Sequence, residues 1–172
     1  MNRRSLTLWL LVAAALLLLG GIGYARKAST TESNKALSRR FVEEFFNKGN
    51  PAIADELVAA NYVEHTPFPG QAPGREGLKQ GLAIFRTAFP AFHADIEELV
   101  AEGDKVVSRS TWHGTHKGTF MGVAPTGKSV TVSGLDMLRI VNGKVVEHWG
   151  YEDDMGLMQQ LGAMPPPGSP AK

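Results

Sequence analysis

A chain of 172 residues, 43% apolar and 20% charged, has the size and composition of one globular domain rather than a disordered segment. Its net charge of +1 depends on four positive charges near the start (Arg3, Arg4, Arg26, Lys27); without them the body stands at −3, which leaves no electrostatic footprint for nucleic acid. Cysteine is absent, excluding disulfides, thiol nucleophiles, thiolate metal sites and a lipid-modified cysteine.

In chain order, Met1–Arg4 is a short basic stretch and Leu6–Ile22 an unbroken apolar run. That is the layout of a signal peptide, with Gly23-Tyr24-Ala25 as a small-x-small processing site. The run is also at the lower edge of what spans a bilayer. Residues 1–27 are therefore expected to be a signal peptide or a membrane anchor. They would engage the membrane or the export machinery and leave the protein periplasmic, secreted, or held by residues 6–22. A buried core helix fits poorly, because no polar face interrupts the run. Residues 28–34 (A-S-T-T-E-S-N) read as a polar linker ending in capping residues.

Three helices are predicted next. Asn34–Asn47 carries Leu37, Phe41, Val42 and Phe45 on one stripe, with Arg39, Arg40, Glu43 and Glu44 opposite. Lys48-Gly49-Asn50-Pro51 ends it and opens a shorter helix over Ala52–Ala59. Tyr62–His65 reads as a brief strand leading into a proline-rich loop. Gly74–Phe89 is a third helix, stopped by Pro90, whose Gly77 and Gly81 suggest close approach to a sheet.

Strands follow. Phe92–Ala101 alternates, and Lys105–His116 puts Val106, Ser108, Ser110 and Trp112 on one face and Val107, Arg109, Thr111 and His113 on the other. After a Gly/Pro-rich connection containing Phe120, Val130–Val141 and Lys144–Tyr151 flank Asn142-Gly143, a strong two-residue hairpin signal. Met155–Leu161 is a closing helix, and residues 163–172 form a Pro/Gly/Ser-rich tail expected to be disordered. Helices followed by long antiparallel strands define an α+β fold over residues 35–162. The sheet must curl around its helices to bury its inner face, giving a cone with a mouth.

Polar residues on that inner face are the candidates for chemistry. Asp136 shares parity with Leu138 and Ile140, and burying it uncompensated is costly. A histidine or Arg109 would relieve the cost, either as a structural pair or as a group poised for proton transfer. His148 shares a face with Val146 and Gly150 and reads either as Asp136's partner or as a packed core histidine. His113 and His116 cannot share a strand face, so one of them belongs to the rim or to solvent. Tyr62 and His65 would sit at the mouth, capping a ligand or facing water. No helical H-x-x-x-H or facial carboxylate set is present, so no metal is expected. Gly74-x-x-Gly77 lacks the context of a phosphate cradle, and no Gly-x-Ser-x-Gly elbow occurs.

Several ordered blocks carry a resemblance: N-Y-V-E-H-T-P, G-x-x-G-x-K-x-x-x-x-x-x-R-x-A-F-P, G-T-H-x-G-x-F-x-G-x-x-P-T-G-K, R-I-x-x-G-K-x-x-E-H-W and Q-Q-L-G. Across Lys35–Gly162 the chain resembles the SnoaL-like polyketide cyclases (ester cyclases), a group within the nuclear-transport-factor-like α+β cones. The resemblance implies ring closure by intramolecular aldol condensation, with no metal and no cofactor, on a small apolar carbonyl compound. In the cyclase pattern the acid/base aspartate falls on Gly150, and the position of Asp136 is a histidine; His148 and His116 match histidines of the pattern. The expected catalytic set is Asp136 with His148 or His116, and the expected substrate-binding set is Tyr62, His65, Arg109, Trp112 and Phe120. With glycine at 150 the alternative is a non-catalytic module that binds a small ligand in the same cone. The resemblance also implies a homodimer formed through the open sheet face, around Trp149 and Tyr151.

Overall fold

The computed structural model describes residues 30–165 and Gly168, so the hydrophobic segment of residues 6–22 and most of the tail lie outside the described residues. The described residues open in helix α1 (residues 30–47), whose last six residues, Val42–Asn47, are π-helical. Short α2 (Ile53–Leu57) runs directly into β1 (Val58–Glu64), and a proline-rich loop leads to α3 (Gly74–Ala88). Four longer strands follow: β2 (His93–Glu102), β3 (Lys105–Thr115), β4 (Ser129–Val141) and β5 (Lys144–Glu152). Helix α4 (Asp154–Leu161) closes the chain; Asp153 caps its first turn by accepting from the Gly156 N–H at 2.9 Å.

The five strands form one sheet in the order β1-β5-β4-β3-β2. β2 to β5 are an antiparallel meander, whereas β1 joins the edge of β5 in parallel. The α+β cone is as expected; three details differ. Residues 30–34, inside the stretch read as a linker, are already helical: Glu32 pairs with Lys35, and Asn34 is buried with its amide reaching the Gly103 carbonyl. The first strand starts at Val58 rather than Tyr62, since Val58 pairs with Val145, a partner far away in sequence. Gly77 makes room for the loop, not for the sheet: a Cβ there would lie 1.6 Å from the Ala72 carbonyl oxygen.

Asn142 and Gly143 both adopt positive φ (51° and 72°), as a two-residue turn matched to strand twist requires. Just beyond it the register slips, with Ile140 opposite Val145 and Arg139 opposite Glu147. This bulge absorbs Val146, so Val145, not Val146, shares the inner face with His148.

The core has two parts. One gathers Phe41, Phe45, Ile53, Leu57, Leu78, Leu82, Val106 and Leu138 at the α1–α2 end. The other gathers Phe89, Phe92, Trp112, Phe120, Val130, Val132 and Leu157 under α4. The sheet itself makes the division. Its inner rows run Val106–Leu138–His148, then Ser108–Asp136–Gly150, then Ser110–Gly134–Glu152, then Trp112–Val132. The outer rows carry large apolar side chains, while the two middle rows carry small or polar ones. Small residues cannot fill the space beneath the helices, and a hollow results.

Candidate active site

The hollow has a volume of about 450 Å³ and lies between the two parts of the core. Its walls are aromatic and aliphatic, with Phe41 and Phe46 from α1, Leu82 and Phe85 from α3, Phe92 just before β2, and Trp112 from β3. The π-helical end of α1 bears on this directly. One extra residue in the turn lets Phe45 bury fully beside Phe41 while the adjacent Phe46 faces the cavity. On the sheet side the lining is polar: Glu64, Asp136, His148 and Glu152, with Ser108, Ser110 and Gly150 between them.

Three of these groups form a relay. His148 Nε2 lies 3.0 Å from Asp136 Oδ1, and Nδ1 lies 2.8 Å from Glu64 Oε2. Parallel pairing sets Glu64 beside His148 in register, and antiparallel pairing sets Asp136 one row along. Glu64 also accepts from the Tyr62 hydroxyl at 2.6 Å and from both the N–H and the hydroxyl of Thr66 at 3.0 Å. The Thr66 hydroxyl in turn accepts the Gly150 N–H at 2.9 Å, tying the loop to the cavity floor. Side-chain exposure rises along the relay, from 9% at Glu64 through 18% at His148 to 28% at Asp136. Glu64 is thus the buried anchor and Asp136 the most exposed end. Among the described residues, Asp136 Oδ1 is bonded to His148 and Oδ2 has no protein partner.

The electrostatics follow from this arrangement. Burial by itself would lower the His148 pKa, but the hydrogen bonds to Asp136 and Glu64 outweigh it and push it up to about 10. The ring is therefore a cation near neutral pH, donating from both nitrogens. Burial would raise the Glu64 pKa, yet His148, Tyr62 and Thr66 together hold it down to about 2. Burial and then the charge of Glu64 keep the Tyr62 phenol firmly protonated. Glu152 goes the other way. Burial first, then the charge of Asp136, push its pKa up to about 7, against the opposing pull of the Trp112 indole and His148. Its Oε2 is buried without a hydrogen-bond partner.

Glycines opposite the acids create the space for these side chains. Gly150 faces Asp136 across the strand pair, and a Cβ there would lie 3.0 Å from His148 Cε1 and 3.2 Å from Asp136 Oδ1. Gly134 faces Glu152, and a Cβ there would lie 2.0 Å from Oε2. Each acid lies over the glycine of its neighbouring strand.

Of the expected residues, Asp136 and His148 meet in the cavity and Trp112 lines it. Tyr62 stands one layer behind, fully buried and acting on Glu64. Phe120 backs the wall, packing on Phe68, Phe85 and Phe89. Three are elsewhere. Arg109 is on the outer face, paired with Glu97 and Glu98, because its parity opposes that of Ser108. His65 is also outside, stacked on Trp149 at 4.2 Å and bonded to Glu147 at 2.9 Å, since strand alternation turns it away from Glu64. His116 is fully buried but behind Phe89: it leaves β3 into a loop closed by its backbone bonds to Lys128 and Gly127, and its Nδ1 accepts the Thr126 N–H at 3.3 Å.

Glu64, Thr66 and Glu152 were not among the expected site residues. The signal for Glu64 was its parity with Tyr62; Glu152 sits in Y-E-D-D, where it is overshadowed by the helix cap Asp153.

Comparison with known proteins agrees with the fold. A family model described as SnoaL-like polyketide cyclase matches residues 36–161. The chain is 29% identical over 133 residues to the aklanonic acid methyl ester cyclase DnrD of Streptomyces peucetius, covering 73% of this chain and 88% of that protein. To the aklanonic acid methyl ester cyclase AcmA of Streptomyces galilaeus it is 35% identical over 133 residues, covering 74% and 89%. Among solved structures, TsrD from Streptomyces laurentii superposes with a TM-score of 0.71 at 29% identity, over 77% of this chain and 97% of that one. The chain belongs to the SnoaL-like polyketide cyclase family.

Proposed function

We propose that the protein is a cyclase that closes a ring in a polyketide-type ester by acid–base chemistry, with Asp136 as the proton acceptor and donor. One observation carries the reading: Asp136 stands directly opposite Gly150 across β4 and β5. In the cyclase pattern the acid belongs to the position of Gly150 and a histidine to that of Asp136. Cross-strand neighbours have Cα atoms about 5 Å apart, so exchanging the acid between the two strands keeps a carboxylate at the same point of the cavity. The cation His148, anchored by Glu64, fixes Asp136 Oδ1 and leaves Oδ2 to the ligand.

A carboxylate is a weak base, so the carbon acid has to be activated, as between two carbonyls of a β-keto ester. Asp136 takes the proton from that carbon, and the electron pair of the broken C–H bond passes into the enolate. The enolate carbon attacks a ketone carbon of the same molecule, a C–C bond forms, and the π pair of that carbonyl moves onto its oxygen. The oxygen then takes the proton back from Asp136. No atom is gained or lost, so the product is an isomer of the substrate. The aromatic walls and the 450 Å³ volume suit a flat, apolar polyketide.

The relatives' substrate, aklanonic acid methyl ester, is the first compound to try. Incubation with the full chain is expected to yield an isomer of unchanged mass, separated by chromatography. Tight binding of that ester with no conversion would favour the non-catalytic module. Residues 1–27 retain their reading as an export signal or anchor. Recovery of the native protein in the cytosolic fraction would remove it.

A further inference from the structure

Of the ionisable residues lining the cavity outside the relay (Tyr151, Glu152 and Asp154), Glu152 lies in the row next to Asp136. It ends β5 with its carboxyl turned inward across Gly134. Its carboxyl has small or aromatic neighbours (Ser110, Gly134 and Trp112), the Trp112 indole hydrogen-bonds to it, Oε2 is turned into the protein without a partner, and the residue lines the cavity. Glu152 and Asp136 occupy diagonal positions on adjacent strands, with Cα atoms about 7–8 Å apart, a span that one carbonyl and its α-carbon can bridge. With Oε2 closed off and unpaired, a full negative charge on this carboxyl is costly, which favours the neutral acid. Gly134 is the feature that permits the pose, because any side chain there would push the carboxyl aside.

We infer that Glu152 is a further catalytic residue of this site, donating a hydrogen bond from its carboxylic acid to the substrate carbonyl oxygen on which charge develops as Asp136 removes the neighbouring proton. The inference rests on the reading of Asp136 as base. When the C–H bond breaks, its proton goes to Asp136 and the electron pair ends on the carbonyl oxygen, 1,3 to the carbon; the Glu152 O–H points at that oxygen and stabilises it. The groups facing Glu152 support a neutral acid. Burial and the charges of Asp136 on β4 and Asp154 on α4 favour the protonated form, outweighing the Trp112 indole and the His148 cation.

The test uses ethyl benzoylacetate, an aryl β-keto ester, with the full chain in deuterated buffer. NMR follows hydrogen–deuterium exchange at the carbon between the carbonyls. Wild type is expected to accelerate exchange, with kcat declining as pH rises through about 7. Glu152→Leu should lose about a hundredfold in kcat with little change in KM, the loss typical of removing one such donor. Glu152→Gln, which keeps an N–H donor but cannot ionise, should recover most of the rate and lose the decline above pH 7. Gly134→Ala, which displaces the carboxyl while leaving Glu152 in place, should resemble Glu152→Leu. Wild-type rates in Glu152→Leu, or no recovery in a folded Glu152→Gln, would overturn the role of Glu152 and leave Asp136 standing. No acceleration by wild type, or full acceleration by Asp136→Asn, would remove the base and this inference with it.

Discussion

His148 is held by carboxylates on both sides, and this has consequences for stability that can be measured. Its pKa is raised from 6.5 to about 10 by folding, so its contribution is complete below about pH 6.5 and is lost as pH rises through 10. Glu64 is lowered from 4.5 to about 2, so its contribution is complete above about pH 4.5 and is lost as pH falls through 2. Urea unfolding should therefore find the relay's stabilisation greatest between about pH 4.5 and 6.5. His148→Ala should cost about 3 kcal/mol there, because the buried Glu64 and the partly exposed Asp136 are left without their cation, and less at pH 10. Glu152 has the opposite sense for an acid: its raised pKa means stability is lost as pH rises through about 7. Glu152→Gln should raise the melting temperature relative to wild type at pH 8 and leave it nearly unchanged at pH 5. At this scale Asp136 was legible, since strand alternation turns it inward with Leu138, whereas His148 was read on a face with Val146 and Gly150, of which only Gly150 shares it. Glu64 was not legible, because its partner strand is more than eighty residues away and nothing local announces a parallel pairing. Grouping Tyr62 with His65 ignored the same alternation, which sends one inward and the other outward.

Two adjacent strands, β4 and β5, make up the reactive side of the cavity by alternating acid and glycine across the pair: Asp136 with Gly150, Glu152 with Gly134. The hairpin that joins them is readable from Asn142-Gly143, and both arms lie where the alternating pattern places them. The bulge at Val146 is not readable, because it depends on packing Val145 under α2 rather than on turn chemistry. The hollow itself is only implicit in Ser108, Ser110, Gly134 and Gly150, whose smallness matters once their rows are known to be adjacent. If the place on the sheet matters more than the strand that supplies the acid, moving the acid across should be tolerated. Asp136→His alone should lose about a hundredfold or more in cyclisation, and Gly150→Asp alone should destabilise by about 1–3 kcal/mol because its Cβ crowds His148 and Asp136. The double variant Asp136→His/Gly150→Asp should recover at least a tenth of wild-type turnover in the same chromatographic assay.

On the scale of the molecule, helices cover the inner face of the sheet and leave the outer face open. Leu135 and Tyr151 are exposed cross-strand partners there, Val100 is exposed on β2, and Trp149 stacks with His65 and lies under Lys105. Exposed apolar residues on the open face of a curled sheet are suited to pairing with a second copy. Sedimentation at micromolar concentration should give a dimer for wild type and a monomer for Leu135→Lys/Tyr151→Lys; a wild-type monomer would remove the expectation. The overall architecture was the most legible feature of all, because helix periodicity, strand alternation and the hairpin turn each reflect local chemistry. The assignment of site residues was less so, since it depends on which strands meet.

The account turns on Asp136 as the group that moves the proton. The most direct measurement is kcat for wild type and Asp136→Asn on aklanonic acid methyl ester at one pH, with the ester's Kd determined for both proteins. The account predicts that kcat falls by about a hundredfold or more while Kd changes by less than about threefold. A folded Asp136→Asn protein that cyclises the ester at the wild-type rate would contradict it.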